Sequence, residues 1–429
     1  MSQYLCSKCG DVSSSWYGKC PSCGEWNSLI KQETVDKKGK SGRAFAPAST
    51  TTKLSKISSL KTNRVPVGIH EIDRVLGGGF VAGEVILLSG EPGVGKSTLL
   101  LNALSGKKTL YVSGEESGEQ IRHRADRLGT DISQLSFSDT TAAESIVSLL
   151  ETTSEKFNIV VVDSIQTIYS LNITSGFGSP SQIKEATSIL VDIAKKKGIV
   201  MIIVGHITKD GDIAGPKTLE HLVDCVLYLE GAKDSHFRLL RAQKNRFGSV
   251  EEVGVFEMGE KGMVEVANPT VFVDTTSKSE PGRVIVSVSE GSRSLFFEVQ
   301  SLVVPTSLSM PRRVVSGVDY NKVQLLLAVI RKNLHIALDS FDVYVNVVGG
   351  ISIKSPAADL GIVASVISSI KNKPASPKTV FCGEIGLLGE VRPVYGQEKV
   401  IKEATRFGFN KVYTSANVKT VKDLALLFK

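Results

Sequence analysis

Nine residues, Gly90-Glu91-Pro92-Gly93-Val94-Gly95-Lys96-Ser97-Thr98, restrict what this chain can fold into more than any other stretch. They satisfy the pattern G-x-x-x-x-G-K-[ST]. The glycines let the backbone curl until successive N–H groups converge on one anion. Lys96 then reaches the β- and γ-phosphates of a nucleotide, and the Ser97 hydroxyl holds Mg²⁺. The flanks agree: Val85-Ile86-Leu87-Leu88 reads as a buried strand, and Leu99 to Leu104 as the helix after the loop. That helix start adds donors and a positive dipole end. A plain glycine turn between core elements would not require Lys and Ser after Gly95. All nine residues are therefore expected to bind ATP with Mg²⁺.

From Val65 onward, apolar strands alternate with helical patterns, the signature of a parallel α/β domain. Thr109 to Ser113 reads as a strand, followed by Gly114-Glu115-Glu116-Ser117. A carboxylate there, beside the phosphates, is placed to orient and deprotonate water. Ile159 to Val162 is wholly apolar and ends in Asp163, where a carboxylate supporting Mg²⁺ belongs. Residues 170–182 and 208–217 are polar loops, and Ile183, Ala186, Ile189, Leu190, Ile193 and Ala194 mark one helical face. His206 ends another apolar strand; a satisfied loop histidine is the ordinary reading, a γ-phosphate sensor the sharper one. Further on, Lys244-Asn245-Arg246-Phe247-Gly248 sets two cations one residue apart, on one face of a strand. Such a pair completes a neighbouring subunit's ATP site or binds DNA phosphates.

Four of the six cysteines, Cys6, Cys9, Cys20 and Cys23, form two C-x2-C knuckles ten residues apart. Two knuckles close a tetrahedral four-thiolate site with no open position, so structural Zn²⁺ is expected. Trp16 and Trp26 flank the second knuckle; covering the ribbon is expected of them, with a binding face as the alternative. Between Lys31 and Arg64 stand nine Lys or Arg against two acids, an excess equal to the +7 of the whole chain. That stretch lacks periodicity and reads as a flexible tether. No apolar run approaches the ~18 residues of a membrane span, and the N-terminus lacks a signal pattern. A cytoplasmic protein without membrane contact is expected. The 429 residues suggest two or three domains.

Together the four-cysteine ribbon with WYGKCPSCGEW, the segment VGIHEIDRVLGGGFVAGE, SGEES, GHITKDGDIAGPKTLEH and KNRFG resemble the bacterial RadA (Sms) family of DNA repair proteins. The resemblance implies an α/β chain in four parts. These are a zinc ribbon over 1–30, a basic linker over 31–60, a RecA-like ATPase over 61–275 and an α+β Lon protease-like domain over 280–429. It further implies a hexameric ring acting on single-stranded and branched DNA, driving branch migration beside the recombinase RecA. A nucleotide-gated scaffold that loads or regulates a recombinase is the competing expectation. Carried over, Lys96 and Glu115 are catalytic, with Glu116 a weaker substitute. Lys244 and Arg246 act in trans, and His206 is the switch. The two polar loops occupy the places where RecA-like proteins hold DNA. In the Lon-like part, Ala357 stands where the serine nucleophile belongs, and Glu398 where its lysine belongs. Peptidase chemistry is therefore not expected. Cys225 and Cys382 read as buried packing thiols.

Overall fold

The computed structural model describes residues 3–32, 64–206, 219–231, 236–268, 270, 272–273 and 279–429. Most of the linker, the 208–217 loop and the side chain of His206 lie outside them. The chain folds into two compact units. One holds the described residues of 1–68, 76–228 and 243–247; the other holds those of 69–75, 229–242 and 248–429. Among the described residues, no helix is long and apolar enough to cross a membrane.

The first unit begins with a small antiparallel sheet, β1 (Gln3–Cys6), β2 (Val12–Ser13) and β3 (Leu29–Gln32), in the order β2-β1-β3. Its apolar centre is only Cys6, Cys20 and Leu29, with Tyr4 and Cys9 against them. So little surface cannot cover an indole. Trp16 is 56% and Trp26 70% exposed, which corrects the expectation that the tryptophans pack over the ribbon.

After α1 (His70–Leu76) come β4 (Val85–Gly90), α2 (Lys96–Leu104), β5 (Thr109–Ser113), α3 (Gly118–Leu128), β6 (Leu135–Ser138), α4 (Ala143–Thr152) and β7 (Ile159–Asp163). The series continues with α5 (Pro180–Lys197), β8 (Val200–His206) and β9 (Cys225–Glu230). Strands β4, β8, β7, β5 and β6 pair in parallel in that order, with β9 on the other side of β4. Val85, Leu87, Leu110, Val112, Val160, Val162, Met201 and Ile203 pack on Ile146, Leu150, Ile183, Ala186, Leu190 and Ala194 of α4 and α5. The alternate residues Ile86, Leu88, Tyr111 and Val161 point to the other face and are buried too. Burial on both faces is why these strands read as unbroken apolar runs. Two of the helices start and stop by local chemistry: α3 opens on a Ser117–Gln120 capping box, α5 on Ser179 and Pro180, and both end at left-handed glycines.

The second unit contains the antiparallel series β10 (Phe237–Asn245, as far as Ala242), β11 (Val253–Gly259) and β12 (Gly262–Glu265). It then builds a six-stranded sheet from β13 (Arg283–Glu290), β14 (Arg293–Pro305), β15 (Arg313–Ser316), β16 (Phe341–Val347), β17 (Thr379–Phe381) and β20 (Lys411–Tyr413). The order is β15-β16-β14-β13-β17-β20, and β18 (Glu384–Ile385) with β19 (Val391–Arg392) makes a separate hairpin. Helices α6 (Tyr320–Leu334), α7 (Asp359–Lys371), α8 (Gln397–Arg406) and α9 (Val421–Leu426) complete it. Helix α6 starts at the Asp319 cap and stops at His335, whose φ of 55° leaves the helical region. Gly361 lets α7 lie against the sheet: a Cβ there would fall 2.1 Å from Val286 Cγ1.

One buried charge has a measurable consequence. Glu84, just before β4, is 1% exposed; its Oε2 accepts from the Val81 N–H at 3.1 Å and its Oε1 has no hydrogen-bond partner among the described residues. Burial pushes its pKa up to about 7, against the pull of that N–H and with the Asp224 carboxylate adding to the rise. The native state therefore holds this proton more tightly than the unfolded chain. The stability it supports is complete below the ordinary value of 4.5 and is lost as pH rises through about 7. Glu84→Gln keeps the acceptor and removes the charge. Its stability advantage over wild type is expected to widen by about 2 kcal/mol between pH 5 and pH 8 in chemical denaturation. An advantage independent of pH would contradict the assignment.

Candidate nucleotide-binding site and metal centre

The loop after β4 carries its glycines where backbone shape demands them: Gly93 has φ 79° and Gly95 φ 111°. Gly95 is also the residue before α2, so the loop delivers its amides onto a helix N-terminus. Lys96 is buried, and its Nζ donates to the carbonyls of Gly90 at 2.9 Å and Glu91 at 3.1 Å. Burial holds its pKa below the usual value, while the Asp163 and Glu115 carboxylates pull it back. Those two acids are the charges this ammonium faces from β7 and from the segment after β5.

Register brings the remaining parts together. Ser113 at the end of β5 pairs with Asp163 at the end of β7, and Gly90 pairs with His206 at the end of β8. Ser97 Oγ donates to Asp163 Oδ2 at 2.9 Å. The same oxygen accepts from Tyr111 Oη at 2.6 Å, a phenol with no exposed surface. Burial, then the adjacent Asp163 charge, raises the Tyr111 pKa well above normal, so the phenol remains a donor. Ser164 Oγ donates to Glu115 Oε1. Glu116 is occupied elsewhere, in a two-point ion pair with Arg124. Of the two candidate glutamates, Glu115 is thus the one beside Lys96 and Asp163. From the sequence, Tyr111, Ser164 and Arg124 have no part in the site. Tyr111 meets Asp163 only through strand register, Arg124 reaches Glu116 from within α3, and Ser164 was legible only as the residue after Asp163.

Lys244 and Arg246 stand elsewhere. Lys244 Nζ donates to the carbonyls of Glu220 at 2.5 Å and Val223 at 2.8 Å, and burial followed by its neighbour Arg246 lowers its pKa. Arg246 Nη1 lies 3.1 Å from Asp224 Oδ1, while Asp224 Oδ2 accepts from the N–H of Val85, the first residue of β4. The pair therefore sits at the start of β4 and the phosphate loop at its end, roughly 17 Å away along the strand. Asn245 and Phe247 close the turn, Asn245 Oδ1 accepting from the Phe247 N–H at 2.8 Å.

Loop 170–182 is held from inside. The buried Gln182 amide donates to the carbonyls of Ile173 at 2.9 Å and Ser175 at 3.1 Å and accepts from the Ser170 N–H at 2.8 Å. This leaves Leu171 and Phe177 exposed, with the Phe177 ring edge-on to Tyr169. In the second unit, Ala357 is buried against Cys382 and Val400 and presents only a methyl group. Cys225 and Cys382 are both buried, and burial pushes the Cys382 thiol up to about 12.

The metal centre fits its ion. The Sγ atoms of Cys6, Cys9, Cys20 and Cys23 all lie within 4.8 Å of one another, with Cys6–Cys23 and Cys9–Cys20 at 3.6 Å. Zn–S bonds of about 2.3 Å arranged as a tetrahedron separate sulfurs by about 3.8 Å. The knuckles are equivalent: the Gly10 N–H donates to Cys6 O and the Gly24 N–H to Cys20 O, each at 2.9 Å. The thiols differ: against the opposing effect of burial, the Ser28 hydroxyl and the Cys9 and Lys8 amides bring Cys6 down to about 6, while burial pushes Cys9 up to about 12.

Comparison with known proteins agrees with these parts. Residues 65–270 match the ATPase family model described as KaiC, residues 4–31 the rubredoxin metal binding domain, and residues 318–428 the Lon protease (S16) C-terminal proteolytic domain. The chain is 46% identical over 427 residues to the DNA repair protein RadA of Bacillus subtilis (strain 168), covering 97% of this chain and 92% of that one. It is 42% identical over 442 residues to the DNA repair protein RadA of Rickettsia bellii (strain RML369-C), covering 99% and 98%. With a four-cysteine zinc ribbon, a RecA- and KaiC-like ATPase core and a Lon-like C-terminal part matched at this identity and over this length, the chain belongs to the DNA repair protein RadA family.

Proposed function

We propose that this protein is a cytoplasmic, DNA-dependent ATPase of homologous recombination. It assembles as a ring, likened to the hexamers of RecA-like motors, and drives branch migration beside the recombinase RecA. One observation carries the reading. Lys96, Ser97, Asp163 and Glu115 converge at the ends of β4, β5 and β7, while Lys244 and Arg246 lie at the far end of β4. Half of an ATP site faces one way and two cations face the other, as subunits stacked head to tail require.

In this reading Lys96 leaves its loop carbonyls for the β- and γ-phosphates. Mg²⁺, when bound near Ser97 and Asp163, neutralises phosphate charge. Tyr111 holds Asp163 in place, and Glu115, aimed by the Ser164 hydroxyl, orients the attacking water. His206, set opposite Gly90, reports the γ-phosphate to loop 208–217. The next subunit's Lys244 and Arg246 meet the charge that develops on transfer. Loop 170–182, which carries no Lys or Arg, contacts DNA through backbone groups and exposed apolar side chains. The Lon-like part, lacking a hydroxyl at Ala357, serves assembly and DNA contact in place of proteolysis.

Two measurements bear on this. ATP turnover is expected to rise on adding single-stranded DNA and to fall at least ~100-fold in Lys96→Ala. Equal rates with and without DNA would remove the DNA-coupled motor, and recombinase stimulation without strand displacement would favour the scaffold. Separately, Glu115→Gln and Lys244→Ala are each expected to retain ATP binding and lose hydrolysis by roughly 10²–10⁴-fold. Mixing the two inactive variants is expected to restore turnover, because one supplies Glu115 and the other Lys244 to a shared site. Mixtures as dead as their components would refute the split site.

A further inference from the structure

By sequence, Arg64 is the last of the tether's cations; in the fold its guanidinium ties two distant segments of the ATPase core together. Its Nη1 donates to the carbonyl of Leu76 at 2.9 Å and to that of Gly79 at 3.2 Å, and its Nη2 donates to the carbonyl of Phe247. The planar fork of a guanidinium can hold two segments at once, and its charge strengthens each bond. The chain around it is shaped to admit the side chain. Gly78 and Gly79, in the stretch VLGGGF, have φ of 116° and 118°, a backbone that other residues adopt only under strain. A Cβ on Gly78 would stand 3.2 Å from Arg64 Cδ, and one on Gly79 only 2.5 Å from the Val65 carbonyl oxygen. Val65 and Phe80 exchange backbone hydrogen bonds at 2.9 Å in both directions, which fixes where the arginine enters.

What the fork holds is the turn that carries Lys244 and Arg246. Asn245 lies between the two cations, and Phe247 follows the second. Asn245 Nδ2 donates to the same Leu76 carbonyl at 3.4 Å, and its Oδ1 accepts from the Phe247 N–H. On the opposite side the Arg246 N–H donates to the Asp224 carbonyl at 3.1 Å. Arg64 thus fastens the end of the turn next to Arg246, a side chain that is half exposed and extends from it. A displacement of about 1 Å in a group that meets a transition state can cost ~100-fold in rate, far more than the bond matters to folding. We infer that Arg64 is a positioning residue for hydrolysis, holding the 244–247 turn so that its two cations meet the phosphates bound by the neighbouring subunit. The inference rests on the split site proposed above. Arg64 serves the neighbour's nucleotide and not that of its own chain, because the turn it grips stands at the start of β4 while the phosphate loop opens at its end.

The test pairs full-length variants and measures ATP turnover with single-stranded DNA present. Alone, Arg64→Ala is expected to keep KM for ATP within about two-fold and to lose kcat by about 10–100-fold. Mixed with Glu115→Gln, it is expected to restore turnover, since it supplies an intact Glu115 and receives an intact turn. Mixed with Lys244→Ala, it is expected to restore none, since neither chain then offers a working turn. A variant that merely misfolds would rescue neither partner, and a residue serving its own chain's nucleotide would rescue Lys244→Ala instead. Either result, or a kcat equal to that of wild type, would overturn the inference. Glu115→Gln mixed with Lys244→Ala is the reference. Silence in that pair removes the split site and this inference with it. Turnover there, with none when Arg64→Ala meets Glu115→Gln, removes this inference alone.

Discussion

The length of one short strand governs the chemistry open to this protein. β4 runs from Val85 to Gly90, and its end opens directly into the phosphate loop. Its beginning is pinned by Asp224, which in turn anchors Arg246. Being buried on both faces, β4 cannot bend to bring its ends together. Neither cation reaches the loop of its own chain across roughly 17 Å. A site needing both halves has to borrow one, which is the physical root of the ring reading.

At the loop end, a single buried carboxylate organises its surroundings. Asp163 receives hydrogen bonds from Ser97 and Tyr111 on one oxygen, and so joins the start of α2 and the middle of β5 to the end of β7. A carboxylate kept this dry is tolerated because donors surround it. The Ser164 hydroxyl, next in sequence, does for Glu115 what Tyr111 does for Asp163. Asp163 and Ser164 are consecutive, so a shift at the end of β7 would move Asp163 and the hydroxyl that holds Glu115 together.

How much of this was legible in the sequence depends on distance along the chain. The phosphate loop and the cysteine knuckles were readable because each is a local pattern of fixed spacing, whereas Asp163 stood out only as the end of an apolar strand that follows a phosphate loop. Glu115 was placed by its strand end; Glu116 is paired with Arg124, whereas Glu115 accepts from the Ser164 hydroxyl next to Asp163. Tyr111 was not legible: within an apolar strand it looks like core, and only register shows its hydroxyl meeting Asp163. The tryptophans misled for the opposite reason. Hydrophobicity argues for burial, but a ribbon whose core is three residues has nowhere to put them. Nothing local in the sequence marks Glu84 as protonated near neutrality either, since the effect comes from packing and from the distant Asp224.

The central claim is that ATP is hydrolysed at a seam between two copies of this chain. Its most direct test is turnover per subunit as the protein is diluted at saturating ATP. The account predicts that specific activity falls as assemblies separate, in parallel with the loss of the assembled species by light scattering. Constant activity per subunit down to dilutions at which only monomer remains would contradict it.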